Sequence, residues 1–143
     1  MSSINESDTW YNKGLALYNL RKYDKAIKCF DKAIRINPEY ANAWISKGLA
    51  LHRLGKYDEE IKCCDKAIRI NPENANAWYF KGTALDNLGK YDEAIKCHNE
   101  AIRINPENGR AWFSKGLVLY NLGKYDEAIK CHNEAIRINN LRV

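Results

Sequence analysis

A 17-residue stretch, Gly89–Asn105 (GKYDEAIKCHNEAIRIN), returns letter for letter at Gly123–Asn139, 34 residues further on. Looser copies begin at Arg21 (RKYDKAIKCFDKAIRIN) and Gly55 (GKYDEEIKCCDKAIRIN). A fixed period of this length marks a stacked repeat array, in which each unit buries its apolar face only against its neighbours. The tryptophans carry the same register: Trp10, Trp44, Trp78 and Trp112 are each 34 residues apart. Four units fit, at 7–40, 41–74, 75–108 and 109–142, as one array preceded by a short polar terminus, 1–6, that is expected to be flexible. The architecture this predicts is quasi-linear, without a single deep core.

Each unit reads as two helices. In the first, Trp10, Leu17 and Leu20 recur at helical spacing and place helix A at about Asp8–Leu20. Ala26, Ile27, Phe30, Ala33 and Ile34 form the apolar face of helix B, at about Asp24–Ile36, and Pro38 stops it. Gly55, Gly89 and Gly123 stand just past helix A, where a left-handed cap tolerates no Cβ cheaply; Arg21 holds that place in the first unit, so its turn must differ or carry about 1 kcal/mol of strain. Asp24, Asp58, Asp92 and Asp126 open helix B, where a carboxylate meets the positive helix end. Asn140 replaces the closing proline in the last unit, so its helix B is expected to run on into Leu141 and Arg142.

Gly14, Gly48, Gly82 and Gly116 lie inside helix A, where glycine costs about 1 kcal/mol relative to alanine. Repeating that cost at one site implies close approach of another backbone, with Ala26, Ala94 and Ala128 as the expected opposite wall. The second unit has Glu60 there, and a carboxylate at such a contact is expected to tilt to the rim.

Trp44, Gly48, Leu51, Gly55, Tyr57, Ala67 and Pro72, and again Trp78, Gly82, Leu85, Gly89, Tyr91, Ala94, Ala101 and Pro106, stand at spacings that resemble those of the tetratricopeptide repeat. The resemblance runs over nearly the whole chain. It implies an all-α fold, a right-handed α-solenoid of antiparallel helix pairs, with helix A lining a concave groove. It also implies a protein–protein interaction scaffold. Lys13, Lys47, Lys81 and Lys115 depart from the pattern, standing where the family often has leucine; each is expected to lay its stem on the hairpin with the charge in water.

If helix A faces inward as in that family, the groove presents Tyr11, Asn12, Leu15 and Tyr18 from the first unit, and Ile45 and Leu49 from the second. Tyr79, Phe80 and Thr83 come from the third, and Phe113, Leu117 and Tyr120 from the fourth. Aromatic and apolar groups with short polar neighbours suit a peptide or helix of another protein. The bland alternative is that Tyr11, Tyr79 and Phe113 only pack between neighbouring A helices. The clamp with which chaperone-binding members hold a terminal carboxylate is not expected, because its places hold Tyr11, Leu15, Ser46, Asn76 and Phe80, none of them a cation.

The net charge is +5, distributed by unit as +3, +1, −1 and +3, with Glu6 outside. This is too spread out for a nucleic-acid footprint. Lys28, Lys62, Lys96 and Lys130 share a helix face with Arg35, Arg69, Arg103 and Arg137, but carboxylates four residues before several of them suggest a solvated mixed-charge surface. Asn99 and Asn133 replace the second Asp in the last two units, which leaves Arg103 and Arg137 less compensated. Cys29, Cys63, Cys97 and Cys131 fall at one repeat position and, with Cys64, read as buried reduced thiols. Neither they nor His98 and His132 converge as metal ligands, and both histidines are expected to be structural, satisfied or half-buried. No catalytic motif, cofactor loop, secretory leader or membrane-length apolar run is present, so the expectation is a non-enzymatic, cofactor-free cytoplasmic protein.

Two other readings stay open beside the peptide-binding scaffold. An apolar face left by Ile129, His132, Ile136 and Ile138 at the end that closes with Val143 would let copies stack end to end as homo-oligomers, or mark the chain as a piece or engineered variant of a longer array. The basic convex face would bind RNA or another anion.

Overall fold

The structure, a computed structural model, describes residues 4–141; Met1–Ser3, Arg142 and Val143, with the expectations placed on them, lie outside the described residues. The chain divides into two compact units, Met1–Pro72 and Glu73–Val143. The first contains α1 (Ile4–Asn19), α2 (Tyr23–Ile36), α3 (Ala41–Arg53) and α4 (Tyr57–Ile70). The second contains α5 (Ala75–Asn87), α6 (Tyr91–Ile104), α7 (Gly109–Asn121) and α8 (Tyr125–Leu141). Eight helices and no strand are present among the described residues, paired antiparallel as α1–α2, α3–α4, α5–α6 and α7–α8. Within each unit the second helix of one hairpin packs on the first helix of the next, α2 on α3 and α6 on α7.

The tight turns follow from backbone chemistry. Gly55, Gly89 and Gly123 have φ of 74°, 77° and 78°. Beyond each, an N–H reaches back to close the helix end: Lys56 to Leu51 O, Lys90 to Leu85 O and Lys124 to Leu119 O, all at 2.9 Å. Arg21 makes the same turn at φ 63°, with Lys22 N–H on Leu17 O at 2.9 Å, so the first turn keeps its geometry and carries the left-handed strain. The aspartates sit in the first turn of helix B and do not cap it; the preceding Lys22, Lys56 and Lys90 make no side-chain cap. Real caps occur on helix A, where Asn74 and Asn108 accept from the N–H of Ala77 and Ala111 at 3.2 Å. Asn37, Asn71 and Asn105, each before a proline, are extended and end helix B. The indoles of Trp44 and Trp112 donate to the carbonyls of Pro38 and Pro106 at 3.0 and 2.9 Å, tying each loop to the helix that follows. Helix α1 begins at Ile4, ahead of the repeat boundary at Ser7, and the Ser7 hydroxyl donates to Ala33 O at 3.1 Å. Without a proline, α8 runs to Leu141, as its sequence predicts.

The glycines inside helix A do mark a close approach, but the opposite wall is a ring and not an alanine. A Cβ on Gly14 would lie 2.5 Å from the Phe30 ring, on Gly82 2.6 Å from His98, and on Gly116 2.6 Å from His132. Ala26, Ala94 and Ala128 are buried, but none is among the atoms nearest these glycines. The second hairpin solves the same volume problem differently. Cys64 stands where the others have a ring, and the Glu60 stem fills the space: a Cβ on Gly48 would lie 3.5 Å from Glu60 Cγ. Glu60 is therefore fully buried, contrary to the expected rim position. His98 also departs from expectation: it is fully buried, and neither ring nitrogen has a hydrogen-bond partner. Burial, with Lys115 adding to it, pushes its pKa down to about 4. His132 is half-buried, as expected.

Candidate protein-interaction faces

The predicted groove residues gather within each unit on the faces of its A helices. In the first unit Tyr11 is half-buried, with its hydroxyl 3.3 Å from Ser46 Oγ and its ring centroid 5.0 Å from that of Tyr40. Tyr18 accepts from Arg53 Nε at 3.1 Å. These contacts stitch α1 to α3 and leave Asn12 exposed and Leu15 and Leu49 half-buried; Ile45 is buried. In the second unit Ser114 Oγ donates to the Tyr79 hydroxyl at 3.3 Å, repeating the Tyr11–Ser46 link. The Arg110 guanidinium lies 4.9 Å from the Tyr79 ring centroid, and Phe80 packs edge-on against Tyr79. The Thr83 hydroxyl is turned back onto Phe80 O at 2.9 Å.

The last hairpin differs. Phe113, Leu117 and Tyr120 are 51%, 42% and 60% exposed on α7, and Tyr125, Ile129 and Ile136 are 57%, 56% and 56% exposed on α8. Spacings of four and three residues in the first trio, and of four and seven in the second, put each trio on one helix face. Tyr120–Tyr125 and Phe113–His132 ring contacts, at 5.2 and 5.5 Å, join the two helices on this side. Ile138 belongs elsewhere: the sequence pattern places it on this open face, yet it is buried, 2% exposed. The previous hairpin shows what such a face accepts. Ile95, the repeat equivalent of Ile129, packs with Trp112 against Leu119, Ala128 and Cys131.

The charged features resolve into local pairs. Arg103 donates to Glu73 at 2.8 Å and Glu100 at 3.2 Å, and Arg137 to Glu134 at 3.2 Å and Glu107 at 3.4 Å, so both arginines are compensated after all. Residues 30 apart cannot be paired from helix spacing, which is why the sequence hides these contacts. The lysines before the helix A glycines ride on the tryptophans, with Nζ 5.2–5.8 Å from the rings of Trp10, Trp44, Trp78 and Trp112. Lys47 also reaches Asp31 at 2.7 Å. None of the five cysteines is in a disulfide, and burial pushes the Cys63 thiol up to about 11. Among the described residues no three His, Cys, Asp or Glu side chains could hold a metal, and no helix is long and apolar enough to cross a membrane.

Comparison with known proteins places this geometry. Tetratricopeptide-repeat models match residues 7–40 and 29–62. The model described as anaphase-promoting complex, cyclosome, subunit 3 matches residues 56–135. No curated protein matches the sequence. Among solved structures, a crystal structure of MamA superposes with a TM-score of 0.89 at 27% identity, over 96% of this chain and 81% of that one. The Arabidopsis OM64 TPR domain gives 0.81 at 25% identity, over 84% and 99%. The first TPR of Spaghetti bound to an HSP90 peptide also gives 0.81, over 83% and 94%, but at 24% identity this likeness concerns the fold alone. The chain belongs to the tetratricopeptide-repeat family and, over residues 56–135, to the repeat family whose model carries the description of the anaphase-promoting complex, cyclosome, subunit 3.

Proposed function

We propose that the chain is a non-catalytic protein–protein interaction module that associates with a second copy of itself through the open face of its last hairpin. The observation that carries this reading is the run of exposed Phe113, Leu117, Tyr120, Ile129 and Ile136. Several large apolar groups exposed on one hairpin are the usual mark of an interface. Its occupant is best taken as the same face of another copy. A first hairpin would bring Lys13, Lys25, Lys28 and Lys32, and α8 offers Asn133 where α2 offers Asp31 to Lys47. A two-fold pairing of like faces avoids that mismatch. A peptide groove on the A helices has less to work with, since Ile45 is buried and Tyr11 and Tyr79 are engaged by Ser46 and Ser114.

Light scattering after size exclusion, run over a hundredfold concentration range, tests this. A dimer is expected, with Phe113→Glu/Ile129→Glu monomeric and equally helical. A strict monomer of 16.5 kDa at all concentrations would sink the reading. Growth past the dimer into a ladder would replace like-face pairing with end-to-end stacking.

A further inference from the structure

The first hairpin carries a second surface, distinct from the strip on the last hairpin and independent of the self-association reading. Trp10 and Leu17 of α1 line an open groove of about 430 Å³ with Lys13, Lys25, Lys28 and Lys32 around it. Lys32 Nζ lies 4.5 Å from the Trp10 ring centroid and Lys13 Nζ 5.2 Å. Among the described residues no carboxylate lines this groove. The corresponding groove of the third hairpin keeps Trp78, Leu85, Lys81 and Lys96 but has Glu93 and Glu100 in place of Lys25 and Lys32. Two glutamates therefore stand beside two lysines there, whereas none stands among the four lysines that line the groove at Trp10.

We propose that this groove docks an acidic peptide segment of a partner protein, seating one aromatic or aliphatic side chain on Trp10 and placing carboxylates among the four lysines. An apolar floor ringed by like charge favours a ligand that brings both an apolar anchor and the opposite charge. Lysine ammonium groups on flexible stems suit scattered carboxylates; phosphate recognition favours the planar fork of arginine, and among the described residues no arginine lines the groove. The surface uses α1 and α2, not the A-helix face that bears Tyr11 and Tyr18.

The test uses the full chain and a fluorescein-labelled decapeptide of glutamates with one central phenylalanine, followed by anisotropy. Binding that weakens with salt is expected. Lys25→Glu/Lys32→Glu, which installs the residues already tolerated at the same places in the third hairpin, should weaken it about tenfold or more. Lys90→Glu/Lys124→Glu changes the net charge equally and should leave it nearly unchanged. Replacing the peptide's phenylalanine by glycine should also weaken binding. Equal losses in both double variants would reduce the effect to diffuse attraction and overturn the proposal. Tighter binding of a single-stranded oligonucleotide of equal charge would overturn it in favour of nucleic acid. Affinity that climbs when Phe113→Glu/Ile129→Glu breaks the dimer would make a second copy the groove's occupant. The chain's mass, read separately, reports on self-association alone.

Discussion

His52 Nδ1 lies 2.9 Å from Glu60 Oε1, joining a part-exposed imidazole on α3 to a carboxylate buried on α4. The other oxygen, Oε2, is buried without a hydrogen-bond partner. Burial holds the Glu60 carboxyl above its ordinary pKa, while His52 pulls it down by a smaller amount. In the first hairpin the same repeat positions are Ala26 and a ring, Phe30; here they are Glu60 and Cys64. A long carboxylate fills the place a ring leaves.

The pair predicts an unusual compensation. Glu60→Ala alone exchanges an unsatisfied oxygen for a void and should change stability by no more than about 1 kcal/mol. Glu60→Ala/Cys64→Phe rebuilds the packing of Phe30 on Gly14 and should gain about 1–3 kcal/mol. His52→Ala in the parent strips Glu60 of its partner and should lose about 1–3 kcal/mol, a loss absent in the double variant. Urea denaturation of the parent, these three variants and His52→Ala in the double-variant background checks this. The gain should shrink at acid pH. With a raised folded pKa, native Glu60 takes up its proton before the unfolded chain does, so its penalty is full above the raised value and relieved as pH falls toward 4.5.

His98 predicts the opposite pH dependence. Its folded pKa, near 4, lies below the ordinary 6.5. As pH falls through that window the unfolded chain gains a proton that the folded chain refuses, so stability is lost between 6.5 and 4. His98→Phe should remove on the order of 2–3 kcal/mol of this acid-side loss. It should also stabilise by about 1–2 kcal/mol at neutral pH, because it relieves two unpartnered nitrogens. Thermal melts across pH 4–8 would show wild type and variant diverging on the acid side. Parallel curves would mean that folded His98 takes up its proton as readily as the unfolded chain does.

The register, the glycine turns and the buried face of helix B were legible because periodicity and backbone chemistry act locally. Trp10 to Trp112 set the period, and Gly55, Gly89 and Gly123 state their φ by being glycine. Size complementarity across a hairpin was not legible. Small residues at Gly82 and Ala94 suggest two backbones meeting, yet the space belongs to His98, four residues past Ala94. Glu60 misleads for the same reason: its burial depends on Cys64 being small, a pairing that no helical period displays. The exposed strip was half legible. Phe113, Leu117 and Tyr120 read as part of a groove shared with other repeats, whereas Ile129 and Ile136 on α8 read as an open apolar face and are exposed. Only the folded chain separates Tyr79, held by Ser114, from Phe113, which stays open.

Arg21 adopts φ 63°, where its three counterparts are glycine. Arg21→Gly should stabilise the first hairpin by about 1 kcal/mol by removing the left-handed penalty, less a few tenths for the greater freedom of the unfolded chain. Hydrogen exchange at Lys22, whose N–H closes the turn on Leu17 O, would report the gain locally. Faster exchange in the variant would show that the arginine side chain contributes more than its backbone costs.

The four helix A glycines should respond unequally to alanine. At Gly14, Gly82 and Gly116 the added methyl meets a ring at 2.5–2.6 Å, and the ring must move, from a packed interior for Phe30 and His98 and from a half-buried place for His132. Each substitution should cost about 1–3 kcal/mol despite the better helix propensity of alanine. At Gly48 the nearest atoms are Cys63 Cβ at 3.4 Å and Glu60 Cγ at 3.5 Å, which is ordinary contact. Gly48→Ala should therefore be neutral or stabilising by up to about 1 kcal/mol. The decisive arm is a size swap: His98→Ala frees the volume that the Gly82 methyl needs, so Gly82→Ala should cost much less in that background. If Gly82→Ala is equally damaging with and without the imidazole, the spacing of α5 and α6 is set by backbone contact, and the ring is incidental to it.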